Sequence, residues 1–192
     1  MINASYEDKY LIVDILTKSF DTNKSVNYIV KQDQKRIARI RSLMDYSFEM
    51  CYHYGDVYLT NDKKGCALVL YPHKKESSLK SILLDVKLIL RCIGIENIGK
   101  AMKRESAIKQ LQPKIPMYYL WFIGVDAKHQ NNGIGSQLLE FVIADSEEKQ
   151  LPVFLETSTL KNLPWYQKFG FKIYNELQLS YKLFFLKREF KV

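Results

Sequence analysis

Leu120-Trp-Phe-Ile-Gly-Val-Asp-Ala-Lys-His-Gln-Asn-Asn-Gly-Ile-Gly-Ser-Gln-Leu-Leu139 decides the reading of this chain. An apolar, strand-like run ends at Val125, and a polar loop follows. Beyond it Ile134, Leu138, Leu139, Val142 and Ile143 recur at helical spacing. Gly133 and Gly135 stand at the join, where a missing Cβ lets a ligand approach the backbone. The first turn of a helix also leaves N–H groups unpartnered at a partially positive end. This combination predicts an anion site suited to a phosphate or pyrophosphate.

Spacing decides which phosphate binder is expected. A P-loop needs a lysine directly after its second glycine. Here Ile134 separates the glycines and Ser136 occupies the lysine position, which disfavours ATP or GTP. A dinucleotide fingerprint fits better at first, because Glu156 follows about 20 residues later, where such folds place a ribose-binding acid. Leu138 nevertheless fills the third glycine position, and seven residues, Asp126 to Asn132, replace the tight turn.

Gln130-Asn131-Asn132-Gly133-Ile134-Gly135 matches a third pattern, Gln/Arg-x-x-Gly-x-Gly/Ala. It resembles the coenzyme A pyrophosphate loop of the GNAT N-acetyltransferase superfamily. Downstream, Pro152-Val-Phe-Leu-Glu-Thr-Ser158 reads as a strand. Asn162-Leu-Pro-Trp-Tyr-Gln-Lys-Phe-Gly-Phe171 then resembles the family's closing Tyr-x-x-x-Gly-Phe signature. The block Ile123–Phe171 is most similar to the puromycin N-acetyltransferase branch, and the resemblance extends over residues 117–180.

The resemblance implies one α/β domain over residues 1–192. A central mixed, mostly antiparallel sheet would be flanked by helices, with residues 77–112 inserted as helices between the third and fourth strands. It implies acetyl-CoA as acetyl donor and a primary amine as acceptor, more readily a small molecule than a protein or peptide. A coenzyme A-binding regulatory module without turnover is the non-enzymatic alternative. By the same resemblance, Ile123 and Val125 flank the pantetheine arm and the Val125 N–H donates to the oxyanion. Gln130, Asn131, Asn132, Gly133, Ile134, Gly135 and Ser136 hold the pyrophosphate, and Asn162 contacts the cofactor arm. Tyr166 is the expected general acid, in contact with the cofactor. Glu156, near the end of its strand, is a candidate general base with a structural carboxylate as its alternative.

Composition agrees with a globular domain: 192 residues, 47% hydrophobic and 26% charged. No apolar stretch approaches the roughly 20 residues of a membrane span, and Ile82–Ile95 is interrupted by Asp85, Lys87 and Arg91. The start lacks the pattern of a signal peptide. Cys51, Cys66 and Cys92, with His53, His73 and His129, show no metal-ligand spacing, so reduced thiols in the cytoplasm and no metal are expected. A net charge of +8 raises nucleic acid as a partner, but the basic residues are dispersed and no nucleic-acid motif occurs. A monomer or homodimer, away from membranes, is expected.

Periodicity supplies the remaining elements. A strand is expected near Ile2–Ser5, a helix over Leu11–Phe20, and one helical region over Val26–Tyr52. Strands Asp56–Leu59 and Cys66–Tyr71 should flank a turn at Asn61–Gly65. Ser77–Gln112 reads as helix, apolar on more than one side, and Tyr118–Val125 as the central strand. With Val153–Thr157 that strand forms a β-α-β unit with parallel strands. Lys172–Leu177 and Tyr181–Leu186 should close the fold as an antiparallel pair. Tyr118, Tyr119 and Trp121 are candidate walls of an acceptor pocket, with alternation placing some on the opposite sheet face.

Overall fold

A computed structural model describes residues 1–190. Seven strands form one sheet: β1 (Ile2–Asn3), β2 (Gly55–Leu59), β3 (Gly65–Leu70), β4 (Tyr118–Val125), β5 (Val153–Thr157), β6 (Lys172–Gln178) and β7 (Lys182–Arg188). Their spatial order is β1-β2-β3-β4-β5-β7-β6. Every pairing is antiparallel except β4 with β5. Residue order does not reveal that β7 inserts between β5 and β6.

Helices cover both faces. On one lie α1 (Lys9–Ser19), α2 (Lys24–Ile29) and α3 (Arg36–Tyr54), packed through Ile12, Leu16, Met44 and Phe48 onto Val57, Leu59 and Leu68. On the other lie α6 (Ile134–Glu148) and α7 (Leu163–Lys168), packed onto Ala67, Val69, Leu120 and Leu155. Leu138, Leu139 and Val142 of α6 are fully buried. Each contributes about 1.5–3 kcal/mol relative to exposure.

Two helices, α4 (Leu79–Leu88) and α5 (Ile98–Leu111), lie between β3 and β4 in the chain. α4 widens into a π turn at Ile89–Ile93 and stops at Gly94, whose φ is +79°. Leu84 and Leu88 of α4 reach the α1/α3 core, whereas Leu79, Ile82, Leu83 and Val86 stay exposed. α5 lies over the carboxy-terminal strands, with Ile108 against Tyr181, Leu183 and Phe185.

The structure revises one local expectation. Val26–Tyr52 is not one helix: the Asn23 side chain caps α2, Val30 turns to extended ψ, and Asp33 Oδ1 accepts the Lys35 N–H at 2.9 Å before α3 begins. The Asp33 acceptor offers the backbone a turn in place of continued helix. The expected turn joins β2 and β3, and within it Lys63 takes the left-handed conformation, at φ 58°. Gly65 serves packing, since a Cβ there would stand 2.8 Å from Leu138 Cδ1.

Candidate active site

The site begins with a bulge in β4. Leu68 pairs with Phe122 and Val69 with Leu120, leaving Trp121 as an extra residue. Such an insertion breaks the two-residue alternation. Tyr118 and Leu120 therefore face α6, Trp121 and Phe122 both face the α1/α3 core, and Ile123 and Val125 face α6 again.

The bulge also redirects the backbone. Before it, the Tyr118 N–H bonds Pro152 O of the neighbouring chain segment at 2.9 Å. After it, Asp126 N–H bonds Lys64 O at 2.8 Å, so Gly124 and Asp126 face β3. The polar edges of Ile123 and Val125 consequently point away from β3, towards β5. β5 is not there to receive them, because β4 and β5 register only through Tyr118–Val153 and Tyr119–Phe154. Beyond those pairs the parallel strands part.

The parting opens a cavity of about 2000 Å³ lined from both sheet faces. That exceeds the roughly 300–1,000 Å³ of a typical single-ligand pocket and leaves room for two substrates. Its α6 wall includes Ile123, Val125, Gln130, Asn131, Gly133, Ile134, Gly135, Ser136, Asn162 and Tyr166. Asn132 is exposed in the same loop but does not line the cavity.

Local bonds shape that loop. Asp126 Oδ1 accepts the Lys128 N–H at 2.8 Å, and Val125 O accepts Ser19 Oγ at 2.8 Å and Gln130 Nε2 at 3.3 Å. Asn131 and Gly133 both take positive φ, 64° and 78°. This turn delivers the chain to α6 with no side-chain cap and no acidic residue in its first turn. The first-turn N–H groups therefore face the cavity mouth without a competing carboxylate, which fits a pyrophosphate. Gly135 leaves open space there: its nearest prospective neighbours are Trp165 Cζ2 and Val125 Cγ2, each 3.8 Å from an added Cβ. Trp165, which sequence reading gave no role, ties α7 to this turn through Nε1–H to Ser136 Oγ at 3.1 Å.

Tyr166 is 5% exposed, and its hydroxyl has no hydrogen-bond partner among the described residues. Burial raises its phenol above the ordinary tyrosine value, keeping it protonated at neutral pH. A protonated, unengaged donor lining the cavity suits a general acid.

Glu156 projects from the opposite sheet face. Its Oε1 accepts Gln112 Nε2–H at 2.8 Å, and its Oε2 accepts the Tyr119 hydroxyl. Burial raises this carboxyl above its ordinary value, against the opposing effect of those two bonds. Tyr119 and Trp121 line the same wall, whereas Tyr118 points behind the sheet and donates to Asp145 Oδ2 at 2.7 Å. Tyr46 and Asp85, bonded at 2.7 Å, extend the wall along α3 and α4. No periodicity flagged Gln112, Arg104, Tyr46 or Asp85, because they meet only when α4 and α5 fold over the cleft.

Residues 90–173 match the Acetyltransferase (GNAT) domain family. Over this block the chain is similar to GNAT acetyltransferases. An uncharacterized N-acetyltransferase of Schizosaccharomyces pombe is 35% identical over 63 residues, 33% of this chain and 26% of that protein. The chain thus aligns with about a quarter of that relative's length. Among solved structures, histone acetyltransferase HPA2 and related acetyltransferase from Corynebacterium glutamicum aligns with a TM-score of 0.70 at 18% identity. That alignment covers 100% of this chain and 96% of the other. Arylalkylamine N-acetyltransferase 2 from Aedes aegypti aligns with a TM-score of 0.64 at 13% identity, covering 99% and 98%. These likenesses establish the GNAT fold. The matched block takes in the bulged β4, the loop, α6, β5 and α7. No group of three or more His, Cys, Asp or Glu side chains suited to a metal ion occurs among the described residues, and no described helix is long and apolar enough to cross a membrane.

Proposed function

We propose that this chain is an acetyl-CoA-dependent N-acetyltransferase acting on a small primary amine. The observation carrying this reading is the continuous cavity through the β4–β5 gap, with a pyrophosphate cradle on one face and Glu156 on the other. The resemblance of Ile123–Phe171 to the puromycin N-acetyltransferase branch favours a small acceptor over a protein.

In this reading the Gln130–Ser136 loop holds the pyrophosphate, while Ile123, Val125 and Asn162 align the pantetheine arm. Glu156 accepts the amine proton, directly or through water. The amine nitrogen then bonds to the thioester carbonyl carbon, and the Val125 N–H donates to the developing oxyanion. As the C–S bond breaks, Tyr166 Oη donates a proton to the departing sulfur. Holding amine and thioester in one cleft supplies much of the acceleration through orientation. Residues 77–112 act as an insertion that closes the acceptor side. Three free, buried thiols support a reducing compartment, the cytoplasm.

The test is acetyl-CoA consumption across a panel of aminonucleosides, polyamines, amino acids and peptides. Acetylation of at least one small amine is expected. Tight acetyl-CoA binding without transfer to any acceptor would favour a regulatory module and reject the enzyme.

A further inference from the structure

Arg104 is the feature that the acetyl-transfer scheme leaves unused. It lies on α5, is half-buried and lines the cavity. Its Nε–H donates to Tyr181 Oη at 3.0 Å and its Nη2 to Ser25 Oγ at 2.6 Å. Two neutral hydroxyls thus fix the guanidinium, and no carboxylate lies within 4.0 Å of it among the described residues. The adjacent Glu105 pairs instead with Lys109 at 3.5 Å. A fixed, partly desolvated guanidinium with spare donors is arranged to receive a planar anion.

Its position identifies which substrate carries that anion. α5 packs through Ile108 on the sheet face opposite α6, so Arg104 stands away from the pyrophosphate cradle and on the side of Glu156. Ser25, which holds Arg104, also donates its N–H to Ser158 Oγ at 3.3 Å. Ser158 is two residues beyond Glu156, about 7 Å along an extended chain. The Arg104 charge is also felt at the Glu156 carboxyl, which it lowers against the effect of burial, so both groups face one small acceptor.

We propose that the acceptor is a small amino acid, with its amine at Glu156 and its carboxylate on Arg104. This assignment rests on the acetyl-transfer reading above. Arg104 acts as a specificity-determining residue, because its charge meets the acceptor away from the reacting atoms.

The experiment compares glycine with glycinamide and β-alanine with β-alaninamide in the wild-type protein and in Arg104→Gln. Taking the acid-to-amide ratio of kcat/KM within each protein, then comparing proteins, cancels differences in amine basicity. Wild type should prefer the acids, and Arg104→Gln should lower that ratio at least tenfold, chiefly through KM. Arg104→Lys should retain part of the preference, since an ammonium lacks the forked donors, and it serves as the test if the glutamine variant does not fold. A ratio unchanged within twofold in either variant overturns the proposal. So does a loss of acetyl-CoA affinity with the ratio intact, which would assign Arg104 to the cofactor. Calorimetric binding of N-acetylglycine to the coenzyme A-loaded protein separates this proposal from the reaction. Binding lost in Arg104→Gln supports the carboxylate site even without turnover, and binding equal in both proteins rejects it.

Discussion

The α6 side of the cleft presents chiefly main-chain N–H groups and glycine-spaced backbone. The α4–α5 side presents Tyr46, Asp85, Arg104, Gln112 and Glu156, side chains contributed by separate elements. A backbone cradle reads only charge and shape, and it serves any acceptor chemistry. A side-chain wall is rewritten by single substitutions, and here the helices between β3 and β4 build part of it. Changes on the first wall should therefore alter cofactor handling for every acceptor, whereas changes on the second should alter acceptor choice and its pH dependence.

The largest effect should come from Tyr166, the general acid of the proposed mechanism. Tyr166→Phe keeps the ring packing against Trp165 and Phe171 and removes the hydroxyl. General-acid assistance is worth about 10²–10⁴ in rate, so the chemical step should fall by that order while acetyl-CoA affinity holds. Single-turnover kinetics are required, because slow product release conceals a chemical defect. An undiminished chemical step would remove Tyr166 from the mechanism.

Glu156→Gln should come next, with a loss of about 10² in kcat and a changed pH profile. Burial holds the parent carboxyl above its ordinary value, so activity should rise with pH through that elevated value and the variant should lack this limb. Stability gives an independent check. A carboxyl raised in the fold favours the folded state while protonated and loses that contribution as pH rises through its folded value. The permanently neutral glutamine should therefore melt higher than the parent at neutral pH and converge with it in acid. Equal melting temperatures throughout, with normal turnover, would remove Glu156 from the mechanism.

The contrast between the walls is also a contrast in legibility. The β4-loop-α6 block, β5 and the Tyr166 turn were readable because their determinants are local: apolar runs, glycine spacing and a motif within a few turns of chain. The bulge at Trp121 was not, since it is expressed only as a register shift against β3. Alternation did warn that Tyr118, Tyr119 and Trp121 would divide between faces. Apolar periodicity continues across the break between α2 and α3, while Gln32 Nε2 donates to Asn27 O and Val30 O and Asp33 Oδ1 accepts the Lys35 N–H, bonds that the pattern does not carry. Gln112 reaches Glu156 across 44 residues of chain, and no local pattern carries that information.

Gly135→Ala sharpens the claim for the backbone wall. An added Cβ meets only ordinary contacts at 3.8 Å, so the free protein accommodates it. Alanine is about 0.5–1 kcal/mol better than glycine inside a helix, and the melting temperature should hold or rise. Acetyl-CoA affinity should nevertheless fall about tenfold, some 1.4 kcal/mol, because the methyl group occupies the approach to the first-turn N–H groups. Calorimetry showing equal affinity would move the pyrophosphate away from this turn.

The smallest effect, and the most specific to the insertion, should come from Gln112→Ala. Gln112 donates to Glu156 Oε1 at 2.8 Å and thereby favours the ionised carboxylate. Its removal leaves burial less opposed and raises the Glu156 carboxyl further. The acid limb of kcat/KM should then move to higher pH, giving a few-fold loss on that limb. Above the limb the effect should vanish or reverse, because a carboxylate freed of one donor is the stronger base. Gln112→Glu would bring a second carboxylate against Glu156 and should move the limb further in the same direction. A merely structural Gln112 predicts something different: a uniform loss at every pH, with a lower melting temperature and an unmoved limb. The pH profile therefore decides whether α5 tunes the base or only covers it.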